Sequence, residues 1–256
     1  MGICNSGLVW RPDDREAIRF GIARGVQFPS LTSIGAFVEA TDFGVTFTGT
    51  PYVKPSVVTN YEIGWNHAIK SSQTLVQASV FHQHSEDLLS DDAGITVAPQ
   101  GLFIVSGNVG HSDANGLELE IRGNFAMNYR WGVNYRPERI TDHLVPYAQN
   151  GAALVDYQDT NPLHMVKANF GWAPRRWEID GYLHFQSATQ GLQPTATGTE
   201  LTPIAPYASV DSRVGYSVSD RMTLSVSGQN LTEASQRQTS GPNVQRRLLG
   251  TMSIYF

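Results

Sequence analysis

Apolar and polar residues alternate in many short segments of this chain, most clearly over residues 176–187. One row there is apolar or glycine and the other is polar: Trp177, Ile179, Gly181, Leu183 and Phe185, against Glu178, Asp180, Tyr182, His184 and Gln186. Successive side chains of a β-strand point to opposite faces of the sheet. The segment is therefore predicted to be a strand with one apolar face and one polar face.

The same alternation recurs in residues 61–69, 117–122, 163–172 and 207–218. A soluble β-sandwich also alternates, because one face of each sheet meets water. Here charged residues stand in the middle of the polar rows and aromatic residues near the strand ends, which is typical of the polar lumen and aromatic girdles of a transmembrane β-barrel. We therefore expect the apolar row of residues 176–187 to face outward and the polar row to face inward.

Short and long connections follow one another in strict alternation. Short turns are predicted at Pro12-Asp13-Asp14, Lys70-Ser71-Ser72, Gly123-Asn124-Phe125, Ala173-Pro174-Arg175 and Ser219-Asp220-Arg221. Long polar segments lie between them, at residues 28–56, 89–103, 141–161, 188–206 and 232–245. Outer-membrane barrels have short periplasmic turns and long extracellular loops. The predicted fold class is all-β: an antiparallel transmembrane β-barrel, here an incomplete half-barrel of about eleven strands.

Composition permits this fold and excludes other classes of protein. Charged residues make up only 16% of the chain, below the roughly 25% of average soluble proteins. No apolar run approaches the about 18 residues of a transmembrane helix. The net charge of −5 and the lack of a basic stripe argue against a nucleic-acid partner, and the single cysteine, Cys4, cannot form an internal disulfide.

The two ends of the chain predict that it is incomplete. The first residues, Met1 to Ser6, lack the basic start and apolar core of a secretory signal peptide. Bacterial single-chain barrels have an even number of strands and both ends in the periplasm, whereas about eleven strands would leave the amino-terminus on the outer side. We therefore expect residues 1–256 to be the carboxy-terminal portion of a longer protein.

Several motifs, in order, resemble those of the TonB-dependent outer-membrane receptors. They are Ile22-Ala23-Arg24-Gly25-Val26-Gln27-Phe28-Pro29-Ser30-Leu31, Lys54-Pro55-Ser56 with Asn60-Tyr61-Glu62-Ile63-Gly64, Asn108-Val109-Gly110 with Gly116-Leu117-Glu118-Leu119-Glu120, Gly228-Gln229-Asn230-Leu231, and the terminal Phe256. No single motif is specific, but their order and spacing extend over nearly the whole chain.

The resemblance implies a complete barrel of about 22 strands, filled by an amino-terminal plug that carries the segment contacted by TonB. The plug, that segment and the signal peptide are expected to lie outside this chain. The implied function is active uptake of a scarce nutrient, such as an iron–siderophore complex, across the outer membrane of a Gram-negative cell. The implied partners are the TonB complex through the plug, outer-membrane lipid and a small-molecule chelate. Neither a cofactor nor an enzymatic activity is expected, and no ligand-binding residue is assigned.

The last strand is similar to the signal by which the barrel-assembly machinery recognises its clients. Every second residue from the terminal phenylalanine backwards is apolar or glycine: Phe256, Ile254, Met252, Gly250 and Leu248. We expect these five residues to direct insertion of the barrel.

Two other functions share the predicted architecture. A passive porin needs only the barrel wall, and an outer-membrane barrel protease would carry acidic and histidine residues at its outer rim. The chain has no Gly-x-Ser-x-Gly, His-Glu-x-x-His or P-loop motif, so catalysis has little support.

The histidines are the main candidates for a metal site. His82 and His84 share a strand face, yet they continue the row of Val76, Ala78 and Val80. A position at the lipid-side rim is therefore preferred for them over a metal site, which would need three or four ligands. The other candidates are scattered without ligand spacing: His111, His143, His164 and His184.

Charged loop residues offer two further candidates. The pairs Glu86-Asp87 and Asp91-Asp92 form an acidic edge, but the glycine-containing loop pattern of calcium sites is missing. The pair Arg175-Arg176 is expected at a periplasmic turn. Arg246-Arg247, together with Arg237, is expected at the outer side, where arginine suits either lipid phosphates or an anionic chelate.

Overall fold

The computed structural model describes residues 3–40, 44–99, 101–126, 128–146, 155–195 and 198–256. These residues form nineteen strands, two short helices and one 3-10 turn. The strands are β1 Cys4–Trp10, β2 Glu16–Gln27, β3 Phe37–Ala40, β4 Val45–Thr48, β5 Ser56–Ile69, β6 Thr74–Glu86, β7 Leu89–Ala98, β8 Gly101–Asn108, β9 Gly110–Phe125, β10 Tyr129–Leu144, β11 His164–Trp172, β12 Trp177–Gln186, β13 Thr189–Thr195, β14 Gly198–Ile204, β15 Tyr207–Ser219, β16 Met222–Gln229, β17 Ser235–Gln236, β18 Val244–Gln245 and β19 Arg247–Ile254. The helices are α1 Leu31–Gly35 and α2 Tyr157–Thr160, and the 3-10 turn is Lys70–Ser72.

One eleven-stranded sheet dominates the molecule, in the order β1-β2-β5-β6-β9-β10-β11-β12-β15-β16-β19. Every neighbouring pair in it is antiparallel. In the described residues β1 and β19 form the two edges and do not pair with each other, so the sheet is not closed. The predicted antiparallel half-barrel of about eleven strands is confirmed. No helix within the described ranges is long and apolar enough to cross a membrane.

Short connections join the strands at one end of the sheet, here called the turn end, and long connections join them at the other, the loop end. The turns at 11–15, 70–73, 173–176 and 220–221 agree with the predictions. The turn predicted at Gly123-Asn124-Phe125 was wrong, because these residues belong to β9, and Phe125 pairs with Tyr129, the first residue of β10. Glycine and asparagine favour a turn locally, but pairing of Gly123 and Asn124 with β10 extends the strand.

The long connections contain secondary structure of their own. In the first two, β3, β4, β8 and β7 form a second, four-stranded sheet, and β13 pairs with β14 in the fourth. The predicted segment 89–103 is therefore largely strand, and β10 continues to Leu144, inside the predicted segment 141–161. In β7 the polar run Ser90-Asp91-Asp92 interrupts the apolar pattern, so hydrophobic periodicity does not distinguish that part of the chain from a loop. Residues 41–43, 100, 147–154 and 196–197 of the predicted segments lie outside the described residues.

The strand register separates an apolar face of the main sheet from a polar face. Directly opposed residues lie on the same face, and the apolar row of β12 meets apolar residues on both neighbours: Trp177 faces Tyr216, Ile179 faces Val214 and Trp172, and Phe185 faces Val166. The predicted rows of residues 176–187 thus lie on opposite faces. The apolar face continues to the edge strand β19, where Met252 is 61% exposed.

The small buried core lies at the loop end. Its residues are Leu88, Ala93, Val109 and Val155, against which Leu144 and Val145 pack. These side chains fix the long connections on the ends of β6, β9 and β10. Packing across the main sheet contributes little to the core, because that sheet is a single layer with two open faces.

Candidate functional site

The polar face of the main sheet carries a network of ion pairs across β10, β12 and β15. The Nη1 atom of Arg213 lies 2.8 Å from Oε2 of Glu178 and 3.7 Å from Oδ2 of Asp180. Arg130 pairs with the other oxygen of Asp180. The Asp180 side chain is only 10% exposed, and these arginines offset the cost of burying its carboxylate.

Glycine residues allow these arginines to cross neighbouring strands. Arg130 and Asp180 each face Gly171 in the register, so the arginine must pass over β11 to reach its partner. A Cβ atom on Gly171 would lie 2.4 Å from Nε of Arg130. Arg19 lies over Gly64 in the same manner, with its Nη2 atom 3.1 Å from the corresponding Cβ position. Each glycine therefore provides the space in which a long cationic side chain lies flat on the sheet.

A second group of charges lies on β9 and β10. Arg136 pairs with Glu138 at 2.9 Å and with Glu118 at 3.5 Å, and its guanidinium lies 5.5 Å from the ring centroid of Phe81. Arg122 pairs with Glu120 at 3.4 Å. Most arginines of the polar face thus have a carboxylate beside them. This arrangement makes the face hydrophilic without giving it a large positive or negative electrostatic potential.

An open cleft lies on the polar face between β9, β10 and β11, towards the turn end. Its polar lining residues include Glu120, Arg122, Arg130, Asn134, Lys167 and Asn169. The cleft offers hydrogen-bond donors and acceptors of both charges, so it can contact a polar protein surface or a hydrated solute. It contains no nucleophile–base pair of the kind that hydrolases use.

The carboxylates of the predicted acidic edge have separate partners. Asp91 accepts a hydrogen bond from the Ser33 hydroxyl at 2.8 Å, Asp92 accepts one from Ser90, and Asp87 lies 3.7 Å from Nζ of Lys54. Glu86 lies 3.5 Å from Nε2 of His84. Among the described residues these four carboxylates do not converge on one point, and they do not form a cation site.

The histidines give a different result from the one that the sequence predicted. His82 and His84 lie at the loop end of the apolar face, in the row of Val80, as expected. The expectation that His111 and His143 are scattered was wrong, because β9 and β10 set them directly opposite each other. Their rings stack with centroids 4.6 Å apart. His164 and His184 remain separate and contact Tyr135 and Tyr207.

Asp113 joins these histidines into one group. Its Oδ1 atom lies 2.7 Å from Nδ1 of His84, and its Oδ2 atom lies 3.9 Å from Nε2 of His143. Sequence separation concealed this group, because a long connection separates β6 from β9, and His111 and His143 lie at the ends of β9 and β10 that are remote from the short turn between them. Only the pairing register of β6, β9 and β10 brings them together.

The arginine pairs lie at opposite ends of the sheet. Arg175 and Arg176 are in the turn between β11 and β12, and Nη1 of Arg176 donates to the Val218 carbonyl at 3.4 Å. Arg247 begins the last strand at the loop end and Arg246 precedes it, with the Arg246 backbone amide donating to the Ala234 carbonyl at 2.9 Å. These positions match the ends that the sequence indicated.

The residues of the predicted assembly signal lie on or beside β19. Leu248, Gly250, Met252 and Ile254 face β16 residues in the register and continue its apolar face. Phe256 follows the strand and is fully exposed. The role of these residues in assembly stays a prediction.

Comparison with known proteins agrees with this architecture. The sequence matches the family described as "TonB dependent receptor-like, beta-barrel" over residues 5–231. It is 25% identical over 193 residues to the pesticin receptors of Yersinia enterocolitica and Yersinia pestis, an alignment that covers 73% of this chain and 26% of the relative. The chain thus spans about a quarter of the length of these relatives.

Solved structures of outer-membrane receptors have the same fold. The FpvA receptor of P. aeruginosa, in complex with an iron-loaded heterologous pyoverdine, superimposes with a TM-score of 0.71 at 15% identity, over 98% of this chain and 32% of that one. The ferric-catecholate import receptor Fiu of E. coli K12 gives a TM-score of 0.71 at 16% identity, over 98% of this chain and 34% of that one. The chain therefore belongs to the TonB-dependent receptor family and has the fold of its β-barrel domain.

Proposed function

We propose that this chain forms the carboxy-terminal half of the barrel wall in an outer-membrane receptor that imports a scarce nutrient. The observation that carries the proposal is the eleven-stranded antiparallel sheet with one apolar and one charged face, in a chain that matches the receptor barrel family over residues 5–231. The remaining wall strands and the plug would come from another part of the receptor.

The two faces suggest how the wall is oriented in the membrane. Lipid-facing residues must be apolar, because hydrocarbon cannot hydrogen-bond to polar groups. The apolar face, with Ile63, Trp65 and Val226, would therefore face lipid. The ion pairs around Asp180 and Arg136 would face the lumen, where water and the plug solvate them. The turn end would lie in the periplasm and the loop end outside the cell.

An iron–siderophore complex is the substrate class that we propose. Pyoverdine and ferric catecholate are bound or imported by the structural neighbours, according to their descriptions. Those similarities support the fold alone, so the ligand of this receptor is inferred from its family. The charge-balanced polar face is compatible with passage of a large polar chelate. Its described ion pairs place positive and negative side chains beside each other, so they do not form a patch of one charge that would hold the chelate.

Import would depend on partners that contact other parts of the receptor. TonB would act on the plug, and the barrel-assembly machinery would recognise Leu248, Gly250, Met252, Ile254 and Phe256 in the last strand.

TonB-dependent receptors are not an enzyme family. A passive porin would share the wall, but it would conduct ions without TonB.

Uptake in living cells tests the proposal. A strain that lacks its own ferric-siderophore receptors would express either the complete receptor gene or residues 1–256 behind a signal sequence, in tonB+ and tonB− backgrounds. We expect the complete receptor to restore growth on a ferric siderophore in iron-limited medium only in the tonB+ strain. The isolated chain should restore none, because the sheet of the described residues has two unpaired edge strands, β1 and β19, and the plug on which TonB would act is proposed to come from another part of the receptor. TonB-independent uptake by the complete receptor would indicate a porin instead.

A further inference from the structure

Four residues at the loop end of the apolar face form a compact group of metal-binding side chains: His84, His111, Asp113 and His143. They come from β6, β9 and β10, and no two of them are adjacent in the sequence. In the register Asp113 faces His84 on one side, and His111 faces His143 on the other. The group lies beyond the apolar row of Val80 and Leu117, where that face becomes polar.

Three of these residues can direct one ligand atom each to a common point. The donor atoms of His111, Asp113 and His143 all lie within 4.8 Å of one another. Around a tetrahedral ion with bonds of about 2.0–2.2 Å, donor atoms are about 3.4 Å apart. Rotation of the His111 and His143 side chains, which are exposed and whose rings stack on each other, can close that difference.

His84 fixes the carboxylate of this group. Its Nδ1 atom lies 2.7 Å from Oδ1 of Asp113, and its ring lies 5.5 Å from that of His111. Oδ2 of Asp113 is therefore turned towards His143, at 3.9 Å from Nε2. Hydrogen bonds that orient a ligand in this way raise the metal affinity of a site.

We propose that His111, Asp113 and His143 bind one divalent transition-metal ion, of the class of Zn²⁺, Ni²⁺ or Cu²⁺, with His84 as a positioning residue. Two imidazoles and one carboxylate suit these ions, whereas Ca²⁺ and Mg²⁺ require oxygen ligands. Three protein ligands leave a fourth position for water. The site lies on the face opposite to the charged cleft, so it is separate from the proposed path of the nutrient and does not depend on the proposed function.

Zinc titration of the purified protein tests the site. The complete receptor would be isolated in detergent with a streptavidin-binding tag, because a polyhistidine tag binds the same ions, and would be stripped of metal before calorimetry with Zn²⁺. We expect one site per chain, and at least a tenfold loss of affinity in the H111A/H143A double variant. The isosteric Asp113→Asn variant should also lose affinity, and His84→Gln should lose about tenfold. His184→Ala, on the polar face, should bind like the unchanged protein.

Electron paramagnetic resonance with Cu²⁺ gives a second readout that does not depend on affinity. The spectrum should show hyperfine coupling to two imidazole nitrogens, and this coupling should disappear in H111A/H143A. Circular dichroism would establish that each variant is folded. If the H111A/H143A variant does not fold, the comparison with the unchanged protein would be made with Asp113→Asn. Absence of Zn²⁺ binding by the unchanged protein, or equal binding by folded variants of His111, Asp113 and His143, would overturn the proposal.

Discussion

Arg130 on β10 forms an ion pair with Asp180 on β12, although β11 lies between these strands. The arginine crosses over Gly171, the residue that faces both partners in the register. Asp180 also lies near Arg213 of β15. One carboxylate thus connects side chains of β10, β12 and β15 on the polar face, and the pair with Arg130 depends on the absence of a side chain at position 171.

Substitution Gly171→Ala should break this link. The new Cβ atom would lie 2.4 Å from Nε and 2.7 Å from Cγ of Arg130, so the arginine must leave its position. Asp180 would then lose its closest partner, at a cost of about 1–3 kcal/mol in the free energy of unfolding. Thermal denaturation of the receptor in detergent measures the change. Gly181→Ala is the matched control, because no atom lies within 4 Å of its Cβ position; an equal loss of stability there would refute the role of Arg130.

Asn230 should control the order of the last long connection. The residue is buried, with a φ of +50°. Its backbone N–H donates to Oδ1 of Asp211 at 2.8 Å, and its side-chain Nδ2 donates to the Val244 carbonyl at 3.0 Å. Asn230→Ala loses the side-chain bond and strains the left-handed backbone, so proteolysis within residues 232–245 should accelerate. Asn230→Gly loses only the side-chain bond and should have a smaller effect. Equal proteolysis rates in all three proteins would contradict this role.

Removal of Phe256 should reduce insertion of the receptor into the outer membrane. The residue extends the alternating face of β19 beyond Ile254 and remains fully exposed, so its loss should not disturb other contacts. Quantitative immunoblotting of outer-membrane fractions measures the effect. Ser253→Ala, in the other row of the same strand, should leave the level unchanged. Normal levels of the truncated receptor would exclude Phe256 from the assembly signal.

The turn between β1 and β2 should open in acid. The amide of Arg15 donates to Asp13 at 2.7 Å and that of Glu16 at 2.9 Å, and these bonds hold the pKa of the Asp13 carboxyl below its ordinary value of 3.8. Because the folded pKa is the lower one, the stabilisation is complete above 3.8 and is lost as the pH falls through the folded value. Hydrogen exchange of the Arg15 and Glu16 amides, corrected for intrinsic rates, should lose protection in this range. Asp13→Asn should remove the pH dependence.

The main sheet could be predicted from the sequence because two signals agreed. Rows such as that of Trp177 and Ile179 gave the strands, and the alternation of short and long connections gave an antiparallel order. The register was harder to predict, because it also depends on the partner strand. Gly123 and Asn124 have the composition of a turn, yet pairing with β10 makes them part of β9.

The histidine group shows the same limit. His84, His111 and His143 have no ligand spacing along the chain, and they meet only through the pairing of β6 with β9 and of β9 with β10.

The strands of the long connections were not predicted for a related reason. Ser90, Asp91 and Asp92 of β7 are all polar, and the pairing of β7 with β8 shifts in register between Ser90 and Gly94, so no apolar row marks this part of the strand.

The claim that this chain is a membrane wall with a lipid side and a lumen side can be measured on β16. Leu224 and Val226 lie on its apolar face, and Ser225 and Ser227 lie on its polar face. Each would be replaced by cysteine in a Cys4→Ser background, spin-labelled in the complete receptor and reconstituted in bilayers. We expect collisions with oxygen, which concentrates in lipid, to be frequent at 224 and 226, and collisions with a water-soluble nickel chelate to be frequent at 225 and 227. The account would be contradicted if neighbouring positions did not alternate in their accessibility to the two reagents. It would also be contradicted if oxygen collided mainly at 225 and 227 and the nickel chelate mainly at 224 and 226.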